Sequence, residues 1–224
     1  PNAGSLGTST AALNFGGGGT VNNESWNGTN WTEVGNLNTA RDSNAGGAGT
    51  TSAGLAFGGK EPSPAVTGNT ESWNGSAWSE VNNMNDDRRQ LVGTGTQTSA
   101  LAFSGEDPGT GSKTSTESWN GTSWSEGTNT NASQGYGGAA GASSSNAMKF
   151  GGSGGPTGFS AITELWNGSS WTEIGNLSTL YAGNIGTGSS AAALNIPGKS
   201  APSTYPGACE EFTGSLTLQT ITVS

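Results

Sequence analysis

Pairs of carboxylates are the groups in this 224-residue sequence whose type and spacing most suggest chemistry. One Glu lies two residues before a Trp and another lies two residues after a second Trp, as with Glu71 and Glu80. Two carboxylates in one cleft can hydrolyse a glycosidic bond, one as acid and one as nucleophile or base. These pairs recur along the chain, whereas a hydrolase needs one asymmetric pair. We therefore interpret the Glu side chains as hydrogen-bond acceptors or as solvated groups at a sheet edge.

The remaining reactive groups also argue against catalysis. The sequence contains no His, which excludes His-based triads and metal sites with His ligands. Cys209 is the single cysteine, and we interpret it as an inert small residue. The run from Asp86 to Arg89 lacks the spacing of a calcium loop and is interpreted as a solvated corner. We expect no enzyme activity, no catalytic residue, no metal and no cofactor.

Charge and hydropathy set aside two classes of partner. Lys and Arg total 7 against 16 Asp and Glu, so we expect no nucleic-acid binding. No apolar stretch is long enough for a transmembrane helix and no signal peptide is visible, so we expect no membrane insertion. The 40 Gly residues suggest a disordered linker, but eight Trp residues argue for a folded chain.

Internal repetition is the dominant signal. The motif Glu-x-Trp-Asn-Gly recurs every 46 or 47 residues, and a second Trp follows five residues after the first. An Ala- and Leu-rich run that ends in Phe-Gly-Gly, or in a variant of it, precedes each pair. A fifth, degenerate copy contains Ile196-Pro197-Gly198 and later Glu210-Glu211-Phe212. The Trp pairs are Trp26 and Trp31, Trp73 and Trp78, Trp119 and Trp124, and Trp166 and Trp171.

Each copy predicts four short strands. Asn-Gly between two aromatic runs indicates a hairpin, for which we expect a type I′ turn or a longer loop. The Ala-Leu-Ala-Phe run predicts a third strand, and the Gly/Ala-rich run before it predicts a fourth, crowded toward a central axis. No window has a 3.6-residue apolar period, so we expect essentially no helix.

Four strands per repeat predict an all-β fold, a five-bladed β-propeller with four-stranded antiparallel blades. We expect a single domain, 1–224, with approximate blades at 1–40, 41–85, 86–130, 131–178 and 179–224. We expect blade five to pack on blade one without strand exchange. The alternative is a larger ring completed by further repeats.

The eight Trp residues are interpreted as structural packing between blades, where each large ring buries roughly 150–250 Å². The alternative is an exposed aromatic platform for stacking sugars, which requires one Trp per blade to face solvent.

These motifs resemble the kelch repeat family of β-propellers. Two copies depart from the Gly-Gly doublet, with Ser104-Gly105 and Pro197-Gly198. An Arg ten residues after the second Trp occurs as Arg41 and Arg88, but Gln134 and Tyr181 replace it later. Kelch propellers also resemble the middle domain of galactose-oxidase-type enzymes, but the copper site of those enzymes needs His ligands.

The amino-acid sequences of these repeats are similar to the kelch-type repeats of phage virion structural proteins, including tail fibres of marine phages. That resemblance implies a virion structural or appendage module, located in the virion. Its implied partners are other virion proteins or a glycan or protein of the host surface. The alternative is a non-viral, extracellular, lectin-like propeller with one shallow carbohydrate site per blade gap.

Function in a propeller is expected in the loops that differ among the copies. These loops diverge in length and charge, which favours a display platform over a lectin with repeated sites. Arg, Tyr and Phe on loops are typical of recognition surfaces. The candidate binding residues are Arg41, Arg88, Tyr136, Phe159, Tyr181 and Tyr205.

Overall fold

The computed structural model describes residues 3–42, 45–62, 66–154, 158–200, 204–205, 207–213 and 217–221. Within these ranges the chain forms 24 strands and no helix, so none that could cross a membrane. Five antiparallel sheets of four strands each are arranged as a five-bladed β-propeller. The predicted fold class is confirmed.

Strands are numbered in chain order. Blade 1 contains β1 (Gly4–Gly7), β2 (Ala12–Phe15), β3 (Asn23–Trp26) and β4 (Trp31–Glu33). Blade 2 contains β5 (Gly46–Thr50), β6 (Ala53–Phe57), β7 (Thr70–Trp73) and β8 (Trp78–Val81). Blade 3 contains β9 (Val92–Thr96), β10 (Ser99–Phe103), β13 (Thr116–Trp119) and β14 (Trp124–Glu126), with a small hairpin of β11 (Glu106–Asp107) and β12 (Gly111–Ser112). Blade 4 contains β15 (Gly138–Ser143), β16 (Asn146–Phe150), β17 (Thr163–Trp166) and β18 (Trp171–Glu173). Blade 5 contains β20 (Ile185–Ser189), β21 (Ala192–Ile196), β23 (Cys209–Thr213) and β24 (Thr217–Ile221), while β19 (Tyr181–Ala182) pairs with β22 (Lys199–Ser200) beside it.

The outer hairpin of blades 1 to 4 closes through an Asn side chain. In blade 1 the Oδ1 atom of Asn27 accepts hydrogen bonds from the backbone N–H groups of Thr29 and Asn30, both at 2.9 Å. Gly28 has a φ of 94°, whereas Asn27 is not among the residues with positive φ. The predicted hairpin is confirmed, and of the two expected connections the longer loop is the one that forms. Residues 27–30 separate the paired Trp26 and Trp31, and the Asn closes this loop with its side chain. Asn74, Asn120 and Asn167 repeat the arrangement.

The innermost strands approach one another too closely for side chains at some positions. A Cβ atom on Gly47 would lie 2.4 Å from the carbonyl oxygen of Ser5 in the preceding blade. A Cβ atom on Gly186 would lie 2.3 Å from the carbonyl oxygen of Ala139. The Gly/Ala-rich runs are therefore required for blades to converge on the axis, as the sequence predicts.

Aromatic rings fill the spaces between consecutive blades. The Phe that ends the second strand of one blade packs edge-on against the second Trp of the next blade. Ring centroids lie 5.3 Å apart for Phe15 and Trp78, and 4.9 Å apart for Phe57 and Trp124. Phe103 continues the pattern in the following blade. Four hydrophobic clusters result, one at each of the four interfaces from blade 1 to blade 5.

Blades 5 and 1 do not share such a cluster in the part of the chain that the structure describes. Trp31 of blade 1 is 48% exposed, although its counterparts in blades 2 to 4 are buried. On blade 5, Ile185 and Ile196 are 64% and 40% exposed. The described residues therefore do not show the expected packing of blade five on blade one.

The glycine doublet generates a prediction in blade 3, where Ser104 replaces its first Gly. Ser104 has a φ of 58°, is buried, and its hydroxyl has no hydrogen-bond partner. We expect Ser104→Gly to raise the free energy of unfolding by about 1–2 kcal/mol, because it removes backbone strain and a buried unpaired hydroxyl. Denaturant unfolding measures the change.

Ser125→Gly is the matched control, because Ser125 is exposed on a strand with ordinary backbone angles. It should lower stability by about 0.5–1 kcal/mol through the entropy of the unfolded chain. Equal signs for the two substitutions would contradict the assignment of strain to Ser104.

Candidate functional site

Two of the candidate binding residues, Arg41 and Arg88, lie inside the fold. Arg41 is buried and its Nη2 atom lies 3.1 Å from Oε1 of Glu71. Nη1 of Arg88 lies 2.8 Å from Oε1 of Glu117, again with both side chains buried. Burial lowers the pKa of Arg41, and the carboxylate of Glu71 offsets part of that effect. The structure thus places both guanidinium groups between blades and away from solvent.

In blades 2 to 5 the buried Glu also binds the corner segment that leads into that blade. The backbone N–H and side-chain amide of Asn38 donate to Oε2 of Glu71 at 2.7 and 2.9 Å. Glu117 and Glu164 receive the same pair of hydrogen bonds from the corresponding Asn residues. The prediction that these Glu side chains accept structural hydrogen bonds is confirmed for Glu71. Glu80 is exposed, which agrees with the alternative that such a Glu is a solvated group at a sheet edge.

Blade 4 obtains its buried cation from a different place. Gln134 replaces the corner Arg there, and the Nζ atom of Lys149, which pairs with Glu164 across neighbouring strands, lies 2.7 Å from the Glu164 carboxylate. Burial lowers the pKa of Lys149, with the carboxylate opposing that shift. Burial acts to raise the pKa of Glu164, but the Lys149 charge and hydrogen bonds outweigh it and leave the pKa lowered.

Blade 5 has the carboxylate and no described cation. Glu210 is buried; its Oε2 atom accepts the N–H of Ser178 at 2.8 Å, while Oε1 has no partner among the described residues. Tyr181 occupies the position of the corner Arg, and Asn195 occupies that of Lys149. The interface between blades 4 and 5 therefore carries an uncompensated acceptor.

The Asp86–Arg89 corner differs from the prediction that it is solvated. Arg88 is fully buried and Asp87 is exposed. Burial acts to raise the pKa of Asp86, but hydrogen bonds from Lys113 and Ser115 and the charge of Arg88 leave it lowered. The corner is therefore solvated on one side only.

Three further candidate residues differ in how much of each side chain is exposed to solvent. Tyr181 is buried, and that burial raises the pKa of its phenol. Phe159 is half-buried in the segment between β16 and β17. Tyr205 is 79% exposed between β22 and β23.

Tyr136 is the one candidate that lines the central channel. It has a φ of 52°, and Gln90, one blade earlier, has a φ of 54° at the equivalent position. The side-chain amide of Gln90 donates a hydrogen bond to the Tyr136 hydroxyl. The N–H of Tyr136 donates to the carbonyl of Gln90 at 3.1 Å, and that of Gly183 donates to the carbonyl of Tyr136 at 2.9 Å. Left-handed backbone at non-glycine residues is uncommon and concentrates at functional sites.

These three residues, Gln90, Tyr136 and Gly183, are linked one to the next by hydrogen bonds, and we call them the channel mouth. Burial is the main factor that raises the pKa of the Tyr136 phenol, and the carboxylate of Glu106 adds to it while Arg89 opposes it. The phenol is protonated at neutral pH. Because its oxygen accepts a hydrogen bond from Gln90, the hydroxyl proton is available for a ligand.

The channel itself offers open backbone edges. A cavity of about 470 Å³ lies at the channel mouth, and one of about 400 Å³ continues along the axis. The innermost strand of each blade forms part of both linings. Each is the edge strand of its sheet, so one side of its backbone has no ladder partner. None of the residues that line either cavity has a charged side chain.

Salt bridges join the corner segments to neighbouring loops around this channel. Asp42 pairs with Lys60 at 3.1 Å leading into blade 2, and Arg89 pairs with Glu106 at 2.7 Å leading into blade 3. The same two positions thus carry opposite charges in reversed order. These links tie each corner to the blade that follows it.

Sequence reasoning missed Gln90 and Asn184, which belong to the channel mouth and its cavity. Asn184 is buried, donates to the Phe150 carbonyl at 2.9 Å and lines the cavity. Their common signal is position, since each lies one or two residues before an innermost strand. No protein-family model matches this sequence, and no curated protein matches it either.

The buried ion pairs generate a prediction for blade 3. We expect Glu117→Gln to lower the free energy of unfolding by about 3 kcal/mol, because it leaves the buried Arg88 without its main counter-ion. Denaturant unfolding measures the loss. Glu126→Gln is the control, because Glu126 lies directly opposite on the next strand and is exposed. A similar loss in both variants would refute the role assigned to Glu117.

The uncompensated Glu210 generates a second prediction. We expect Asn195→Lys to raise the free energy of unfolding by about 1–2 kcal/mol, because the ammonium group would reproduce the pair seen between Lys149 and Glu164. Thermal unfolding with calorimetry measures the gain.

Ala102→Lys provides the contrast for this substitution. Ala102 lies opposite Glu117 in the same register, but Arg88 already pairs with that carboxylate. The added charge should destabilise the protein through overpacking and repulsion. The proposal for Glu210 fails if both lysine variants lose stability.

Proposed function

We propose that this protein is a rigid binding module whose channel mouth receives a neutral, polyhydroxylated ligand, namely a glycan. The uncharged cavity of about 470 Å³ is the observation that carries the proposal. Cavities of several hundred Å³ are typical of small-ligand sites.

The chemistry of the lining favours hydroxyl groups as the recognised feature. Open strand edges present backbone N–H and C=O groups alternately, and a sugar hydroxyl can both donate to and accept from them. The Tyr136 hydroxyl adds a donor and its ring adds an apolar surface. A charged ligand would meet no opposite charge in this lining.

The hydrogen bonds and salt bridges that hold the channel mouth favour ligand binding with little rearrangement of its backbone. Backbone hydrogen bonds link Gln90, Tyr136 and Gly183, and salt bridges hold the adjoining corners. A preorganised site avoids the cost of ordering loops when the ligand binds. The different side chains at equivalent positions imply one asymmetric site per chain.

Binding is favoured over catalysis by the state of the carboxylates. The buried Glu71, Glu117 and Glu164 are occupied by amides and cations from the preceding corner or the adjacent strand. None of these three lines the channel cavities. We therefore propose a non-enzymatic role.

The resemblance of the motifs to the kelch-type repeats of phage virion proteins supports a location for this module. We propose an appendage of the virion, where the propeller displays its loops and binds a glycan of the host surface. The alternative remains a non-viral, lectin-like propeller.

Glycan-array screening followed by calorimetry tests the proposal. We expect one glycan per chain, and we expect Tyr136→Ala to weaken binding roughly ten- to a hundredfold, as for the loss of an aromatic contact and a hydrogen bond. Tyr205→Ala is the control, because this exposed Tyr lies outside the channel lining. Binding that depends on Tyr205 and not on Tyr136 would refute the channel site, and several equivalent sites per chain would favour the lectin alternative.

A further inference from the structure

Two blade faces keep the packing chemistry of the interior but are exposed. On blade 1, the face turned away from blade 2 carries Ser5, Glu24, Trp26 and Trp31, which we call the head face. On blade 5, the face turned away from blade 4 carries Ile185, Thr187, Leu194 and Ile196, which we call the tail face. Seven of these residues are more exposed than their counterparts in the internal interfaces, and Ser5 is larger than the Gly that most blades have at its position.

The head face matches the receiving side of an internal interface. Its two Trp rings lie 5.5 Å apart in a tilted arrangement, as the Trp pairs of blades 2 to 4 do. Those buried pairs each receive a ring or apolar side chains of the preceding blade. At one position the head face departs from the internal receiving sides. Ser5 lies where blades 2, 3 and 5 have Gly47, Gly93 and Gly186, at which a Cβ atom would clash with the preceding blade, whereas blade 4 has Ala139 there.

The tail face matches the inserting side of an internal interface. Ile196 occupies the position of Phe15 and Phe57, and Ile185 is its direct partner across the two innermost strands. The usual pair at these positions is Phe with Gly, as in Phe57 with Gly46. On blade 5 two Ile residues of intermediate size stand where the other pair has a large Phe and a small Gly. The face therefore stays apolar on its two innermost strands, while Glu211, opposite Leu194 on β23, adds a charge to the same face.

Within one copy, the described residues of these two faces do not form a shared hydrophobic cluster. The innermost strands β1, β5, β9, β15 and β20 contact one another in chain order. Between the described parts of β20 and β1, no comparably close contact follows. Glu24 also lacks the amide donors that its counterparts receive, among the residues that the structure describes.

We propose that the head face of one copy binds the tail face of a second copy of this chain. The four internal interfaces supply the argument, because in each of them a tail-type face already covers a head-type face of this same repeat. The contact is heterologous, since two different surfaces meet. Ser5 of the head face and Ile185 of the tail face also line the cavity at the channel mouth, so the contact and the proposed ligand site share residues.

The size of the faces sets the expected strength. Four strands about 4.8 Å apart, each of about four residues at 3.3 Å, give roughly 250 Å² per face and about 500 Å² in total. That area is below the range of about 1,200–2,000 Å² for stable complexes. The association is therefore weak and depends on protein concentration.

Sedimentation velocity over a wide concentration range tests the proposal with two variants. Trp31→Glu blocks the head face and Ile196→Glu blocks the tail face, both at exposed positions. Wild-type protein should increase in mass with concentration, and each variant alone should bind itself about 30-fold more weakly or not at all, as expected for an interface anchor. Thr32→Glu is the control, because Thr32 is exposed on the same strand and points to the opposite side.

Mixing the two variants gives the decisive measurement. Each retains one intact face, so an equimolar mixture should form dimers and nothing larger, whereas neither variant does so alone. Wild-type protein that stays monomeric at all concentrations overturns the proposal, as does a mixture that forms no dimer. Trp fluorescence provides a second readout through the difference between wild type and Trp31→Phe, which isolates the emission of the exposed Trp31. This difference emission should shift to the blue with concentration, and a difference emission already blue at high dilution would indicate closure within one copy and overturn the proposal.

Discussion

The capture of each corner segment by a buried carboxylate is the interaction on which the propeller depends. A Glu of one blade binds backbone and side-chain amides of the segment that leads into it, at 2.7–2.9 Å in blades 2 to 4. These hydrogen bonds fix the angle at which one sheet follows another. Once that angle is fixed, Phe and Trp rings meet between blades and the innermost strands converge. A chain with few aliphatic residues can then form a core, since each interface combines aromatic rings with a few Leu, Met, Val or Ala side chains.

The repeat allowed the fold to be predicted from the sequence, whereas the environment of single residues was harder to predict. Four copies with two periodic Trp positions and a fifth, degenerate copy predicted blades and strands, including the crowded inner strands. The sequence left the connection open between a type I′ turn and a longer loop, because Asn27 has two ways to close a hairpin and only geometry distinguishes the backbone from the side-chain solution. Arg41 and Arg88 looked like loop residues because a corner in sequence reads as surface. Their burial follows from a partner in the next blade, about 30 residues away.

The candidate site was harder still to predict. Tyr136 was found because aromatic residues on loops attract notice, but nothing in the sequence indicated that Gln90 shares its backbone conformation. Lys149 offered the best overlooked clue, since a charged residue inside an Ala-, Met- and Phe-containing strand demands a counter-ion. That residue coincides with the loss of the corner Arg in the same copy. Two departures from the repeat that look unrelated in sequence are one compensated change in space.

This compensation affects how such repeats can be inherited. In blades 2 and 3 the cation belongs to the corner segment that leads into the blade and the carboxylate belongs to a strand of the blade, so a unit whose boundary falls within the corner leaves half of the pair behind. In blade 4 both partners lie on adjacent strands of one unit, which therefore carries its own charge balance wherever it is inserted. The fourth repeat is thus the most portable module of the chain, and recombination among copies should favour it as a donor.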